Sequence, residues 1–271
     1  MKRLALRGDD MGSCTEANAA IIEAVEAGFL KNISVMACGP AFDEGAVLLR
    51  TLQRRLGDRL NVGLHVTLNA EWATEKWGPI LPIERVPSLV EEGGLFTPFP
   101  KDLRDRAASP DEMTAEAEAQ LRRLRDAGLQ VDYVDEHMHI GEVAGLRDRL
   151  VHLAAREGLF VLEGRTTRLP PAVRFASEVC YLGEVVASPL ERLLADWDAR
   201  LATAPTGDYL LVTHPGQDEG IMRRFHIAGA PDDGAVARER DTERQALCDP
   251  QLAEMFAAYG ATCVTLREIV G

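Results

Sequence analysis

A chain of 271 residues, 46% of them hydrophobic, can bury a large core, and a single domain over residues 1–271 is the expectation. The formal net charge of -13 disfavours nucleic acid as a partner, because phosphate backbones are bound by clustered Lys and Arg. No stretch approaches the roughly 20 apolar residues that cross a bilayer. The basic start Met1-Lys2-Arg3 leads into no signal-peptide core, since Arg7, Asp9 and Asp10 interrupt it, so a cytoplasmic protein with no membrane partner is expected.

The first run, Arg3 to Gly8, reads as a strand that ends at Asp9-Asp10-Met11-Gly12-Ser13. A helix follows, capped by Ser13 or Thr15, with Ala17, Ile21, Ile22 and Val25 on one stripe and Gly28 as its stop. Asn32 to Cys38 reads as a second strand, Ala41 to Leu56 as a helix, and Asn61 to Thr67 as a third strand. Residues 69–108 then break the rhythm with Trp72, Trp77, repeated Pro and Gly93-Gly94. A loop this long is usually functional, and its Trp rings either stack on sugar or pin the loop to the body. Ser109-Pro110-Asp111-Glu112 predicts a helix start with a capping box, and the helix runs to Gly128. Val131 to Asp135 reads as a strand ending in Glu136-His137-Met138-His139. Helices are expected near 143–157, 189–203 and 250–259, with a late strand over Tyr209 to Thr213 that runs into His214-Pro215-Gly216. Residues 164–188 and 217–236 carry no clear pattern. The alternation is that of βα units around a mainly parallel sheet. The five cysteines, Cys14, Cys38, Cys180, Cys248 and Cys263, form no CxxC and are odd in number, against both a disulfide framework and a thiolate cluster. Cys14, close to Asp10, reads as a small reduced packing residue.

Polar, metal-competent residues collect at the expected strand ends: Asp9-Asp10, His65, Asp135 to His139, and His214. In parallel βα architectures those ends meet on one face, so residues far apart in sequence converge there. Each cluster has a bland alternative. Adjacent carboxylates after a strand commonly cap helices, and successive side chains of an extended segment point to opposite faces unless the strand turns, a turn Gly12 would help. His65 alone in an apolar run reads equally as a satisfied core histidine. His137 and His139, two apart, reach one cavity as metal ligands do. Pro215 fixes the exit of the chain after His214, which is either a site residue or a turn residue. His152 reads as part of a solvated helix face, and His226 lies in an unassigned loop.

In this order the clusters resemble the YdjC/ChbG-type carbohydrate deacetylases. The matching segments are Gly8-Asp9-Asp10-Met11-Gly12, Gly39-Pro40-Ala41-Phe42, Val62 to Leu68 around His65, Val134 to His139, Thr213-His214-Pro215-Gly216, and the run Arg240 to Pro250. The resemblance implies a distorted (β/α) barrel of the glycoside hydrolase/deacetylase type. It implies one divalent metal ion, Mg or Zn first and Mn or Co as alternatives, held by Asp10, His65 and His137. Asp9 would be the general base and His214 the acid, kept cationic by acidic surroundings. His139, Asp135, Arg7 and Trp72 would contact substrate or support the ligands. The substrate implied is a small N-acetylated sugar, and a homodimer fits this kind of protein. The chain departs from the family's usual residues at Arg7-Gly8, Met138 and Gly141. Two other functions compete: a metal-independent glycosidase pairing Asp9 or Asp10 with Asp135 or Glu136, and a barrel that binds sugar or metal without turnover.

Overall fold

The computed structural model describes residues 1–143, 145–161, 173–175 and 189–270. Cys180 lies outside the described residues. Strands β1 (Lys2–Met11), β2 (Asn32–Val35), β3 (Asn61–Val66), β4 (Tyr133–Glu136), β5 (Phe160–Val161), β6 (Val173–Phe175), β7 (Gly207–Thr213) and β8 (Ala261–Cys263) form one sheet. Its order is β5-β4-β3-β2-β1-β7-β6, with β8 also on β1, and every pairing is parallel. Helices α1 (Thr15–Glu26), α2 (Phe42–Leu56), α3 (Pro100–Asp105), α4 (Pro110–Asp126), α5 (Leu146–Glu157), α6 (Leu190–Thr203), α7 (Ala235–Cys248), α8 (Pro250–Ala258) and α9 (Leu266–Val270) fill the connections. This is the α/β class expected, a distorted (β/α) barrel whose strand path runs, among the described residues, from β5 to β6.

The period of two along each strand sorts its side chains. Leu4, Leu6, Ile33, Val35, Val62, Leu64, Val66 and Val134 join the helices in the main apolar core. The alternate residues, among them Arg7, Asp9, Ser34, His65 and Asp135, carry buried polar groups on the other face. That face cannot be left unpaired without a large desolvation cost, so its residues bond to one another.

Several boundaries differ from expectation. Helix α1 is capped by Cys14, whose Sγ accepts from Ala17 N–H at 3.4 Å, rather than by Ser13 or Thr15. Ser109 caps α4 as expected, but the Glu112 carboxylate reaches Ser88 instead of closing a capping box, accepting from its N–H at 2.8 Å and its hydroxyl at 2.7 Å. That contact, with Glu116 accepting from Ile80 and Leu81 N–H, ties the 69–108 excursion to α4. The excursion holds α3 and short turns, and its Val86, Leu89, Phe96 and Leu103 belong to the main core. Among the described residues no helix is long and apolar enough to cross a membrane.

Candidate active site

Strand β1 does not stop at Gly8 but runs through both carboxylates to Met11. Its register with β2 shifts between Gly8 and Met11, and Asp10 takes a left-handed φ of 66°. This bulge is the turn that lets neighbouring side chains serve one site; Gly12, with φ of 98°, continues it. On the other edge of β1, Gly8 pairs with Thr213, so His214 leaves β7 beside Asp9. On β3 and β4, His65 and Asp135 are register partners.

Three side chains from these ends converge. Asp10 Oδ1 lies 3.6 Å from His65 Nε2 and 3.4 Å from His137 Nδ1, and the two imidazole nitrogens are 3.2 Å apart. All three residues are buried, and Asp10 Oδ1 has no hydrogen-bond partner among the described residues. The far nitrogen of each imidazole meets a carboxylate: His65 Nδ1 lies 3.0 Å from Asp135 Oδ1, and His137 Nε2 lies 3.0 Å from Glu71 Oε2. With a cation bound, each outer nitrogen would keep its proton toward its carboxylate and each inner one would offer its lone pair to the ion, the arrangement of metal-binding histidines. Ligands about 2.1 Å from a shared cation stand about 3.0 Å apart at right angles in an octahedron and about 3.4 Å apart in a tetrahedron. The observed spacings match, so these residues fit a divalent cation.

The surrounding charges are fixed. Arg7 binds Asp9 through two bonds, Nε to Oδ1 and Nη2 to Oδ2, each 2.7 Å, and its Nη1 meets Asp135 Oδ2 at 2.8 Å. Ser34 donates to Asp135 Oδ2 at 2.6 Å and lies 2.9 Å from the Tyr133 hydroxyl. Gly63 makes this row possible, because a Cβ there would lie 2.0 Å from the Tyr133 ring as it crosses β3. Arg240 on α7 donates from Nη2 to Asp10 Oδ2 at 2.8 Å. Burial pushes the Asp10 carboxyl up, but Arg240 and His137 more than offset it and hold the group well below the ordinary carboxylate range. Burial is likewise outweighed at His137, which Glu71 and Asp10 raise to about 10, and at His65, which Asp135 and Asp9 raise.

Of the residues expected at the site, Asp9, Asp10, His65, His137, Asp135 and Arg7 come together, and His214 follows Thr213, the register partner of Gly8, at the adjoining strand end. His139 is exposed, next to Met138, and both hold left-handed backbone, with φ of 55° and 49°. Of the two roles open to Trp72, its place fits that of a loop anchor: it is only 7% exposed, stacked on Phe225 with ring centroids 4.9 Å apart, and Arg240 lies 5.6 Å from its ring centre. His214 departs from the expected cationic state, because burial lowers its pKa and Arg240 and His65 add to that, against the pull of Asp10 and Asp9. Its backbone N–H donates to Glu243 on α7. Sequence reasoning missed Glu71 as a partner of His137 and gave Arg240 and Glu243 no task. The spacing Arg240 to Glu243, one helical turn apart in a conspicuous charged run, was the available signal.

A carbohydrate deacetylase of Geobacillus stearothermophilus is 26% identical over 97% of this chain and 96% of that protein. A carbohydrate deacetylase of Enterococcus faecalis is 30% identical over 51% of this chain, about half (49%) of that protein's length. A solved structure from Enterococcus faecalis V583, described as a cellobiose-phosphate cleavage protein, matches with TM-score 0.77 and 21% identity over 100% of this chain and 99% of that one. That likeness shows the fold. The pattern of the YdjC-like proteins matches residues 3–258, and the chain belongs to the YdjC-like protein family.

Proposed function

We propose that this chain removes N-acetyl groups from amino sugars or small chitooligosaccharide-like sugars, using one divalent cation held by Asp10, His65 and His137. The broader statement, a hydrolase of the carbohydrate deacetylase kind, rests on the family and on the relatives of that name. Residues 1–271 are taken as one such domain, with 69–108 as its excursion. The observation that supports the finer reading is the buried Asp10 Oδ1, facing the inner nitrogens of two imidazoles with no hydrogen-bond partner among the described residues.

Amide hydrolysis is slow because water is a weak nucleophile and the amine a poor leaving group. A bound Mg, Zn, Mn or Co ion supplies Lewis acidity to the attacking water and the acyl oxygen. Asp9 takes the proton of the attacking water. Its carboxylate cannot rotate, because both oxygens are held by Arg7, yet each oxygen keeps a lone pair for the proton. His214 begins neutral, since burial disfavours its charge. Negative charge developing on the acyl oxygen raises its proton affinity, so it takes up a proton from solvent and passes it to the departing nitrogen, while Asp9 returns the water's proton to solvent.

The glycosidase reading fares worse on electrostatic grounds. A carboxyl acid needs a raised pKa, whereas the Asp10 and Asp135 carboxyls, although burial pushes both up, are brought below their ordinary value by Arg240 and Arg7 respectively. Glu136 is committed to Arg147 at 2.8 Å and to Gly141 N–H at 3.0 Å. The test is acetate release from N,N'-diacetylchitobiose and related N-acetylated sugars, before and after chelation. Activity lost with EDTA and restored by one of the four ions is expected. Sugar cleavage that survives EDTA would establish the glycosidase, and binding without release across the panel would establish a barrel without turnover.

A further inference from the structure

We propose that the start of the 69–108 excursion is part of the cation site, with Glu71 as the positioning residue that fixes which nitrogen of His137 carries the proton. This rests on the reading of Asp10, His65 and His137 as the ligands. The Glu71 carboxylate lies 3.0 Å from His137 Nε2 on the side of the ring away from Asp10. Without that acceptor the imidazole would gain by moving its proton to Nδ1, where Asp10 Oδ1 stands 3.4 Å away, and no lone pair would then face the cation. Glu71 removes that alternative.

Local contacts hold Glu71 to this task. Asn69 Nδ2 donates to Glu71 Oε2 at 3.3 Å, and the Asn69 carbonyl accepts from Trp77 Nε1 at 2.7 Å. The Trp77 ring packs edge-on against His137, with centroids 6.2 Å apart. The two ligand histidines are thus backed differently. Asp135 behind His65 is shared with Arg7 and so with Asp9, whereas Glu71 behind His137 is bonded, among the described residues, to Asn69 and to His137 itself.

The experiment compares Glu71→Leu, Glu71→Gln and, on the exposed part of the same excursion, Glu84→Gln. Affinity for Mn or Zn ions is measured by competition with a chromophoric chelator, and folding by melting of the metal-free proteins. Glu71→Leu is expected to weaken cation binding about 10–100-fold, while saturating cation restores acetate release. Glu71→Gln, which keeps an acceptor oxygen but loses the charge, should weaken binding by less, and Glu84→Gln should leave it unchanged. A folded Glu71→Leu protein that binds the ion within about twofold of the parent overturns the proposal. Should Glu71→Leu not fold, unchanged affinity in Glu71→Gln overturns it. A parent protein that binds no divalent cation removes the ligand reading itself, an outcome distinct from failure at Glu71.

Discussion

Asp9→Asn separates taking a proton from holding the cation. Both Asp9 oxygens accept from Arg7 at 2.7 Å in a buried setting. Asparagine keeps one of those bonds and turns an amide N–H against the other guanidinium N–H. An unmet buried donor costs about 1–3 kcal/mol, which for a chain of this size lowers Tm by roughly 2–12 °C. Loss of the base is expected to lower kcat by about 10²–10⁴, equivalent to about 3–5 kcal/mol of barrier. The stability cost leaves the protein folded at 25 °C, so the two effects are measured separately. Asp10 Oδ1 and the inner imidazole nitrogens are untouched, and one cation per chain should remain bound. The assays are acetate release, metal content by mass spectrometry and thermal melting. A variant with kcat within about tenfold of the parent refutes Asp9 as the base, and a variant that loses its cation refutes the division of roles.

Burial raises the Glu243 carboxyl to about 7. A carboxyl whose folded pKa is raised gives stability that is fully present below its unfolded value and is lost as pH rises toward 7, here roughly 3 kcal/mol. Glu243→Gln does not titrate, so its Tm relative to the parent should improve between pH 4.5 and pH 8, and a pH-independent difference would refute this. Gly63→Ala places a Cβ 2.0 Å from the Tyr133 ring, which is fully buried and tethered to Ser34. Overpacking of about 1–3 kcal/mol or more is expected, together with weaker cation binding as β3 and β4 are forced apart; an unchanged melting curve would contradict the close approach.

The site was legible where chemistry coincided with strand ends. Asp10, His65 and His137 each have a structural reading as well, and it is the family resemblance that singles them out; the strand order makes them neighbours. The supporting groups were harder to find. Glu71 lies in an excursion without periodicity, and its partner His137 is 66 positions away. The sequence assigns no element to the residues of helix α7, and its charged run, which enters only through the family resemblance, does not show that Arg240 and Glu243 are buried. Strands β5 and β8 are two and three residues long, too short for alternation to register. Trp72 illustrates a different limit: composition gives an aromatic ring in a loop, but only its neighbours decide whether the ring meets sugar or Phe225.

Strand β1 has β7 along one edge, while β8 and then β2 divide the other between them. Its neighbours thus lie both near it and about 200 or more positions along the sequence, and Asp10 is held by Arg240 from 230 positions away. Closure over such separations is entropically costly and slows folding. Asp9 and Asp10 are synthesised about 200 residues before β7 and α7, and their geometry waits for those later elements. A nascent chain halted before residue 207 would hold both acids with neither His214 nor Arg240 to set them in place.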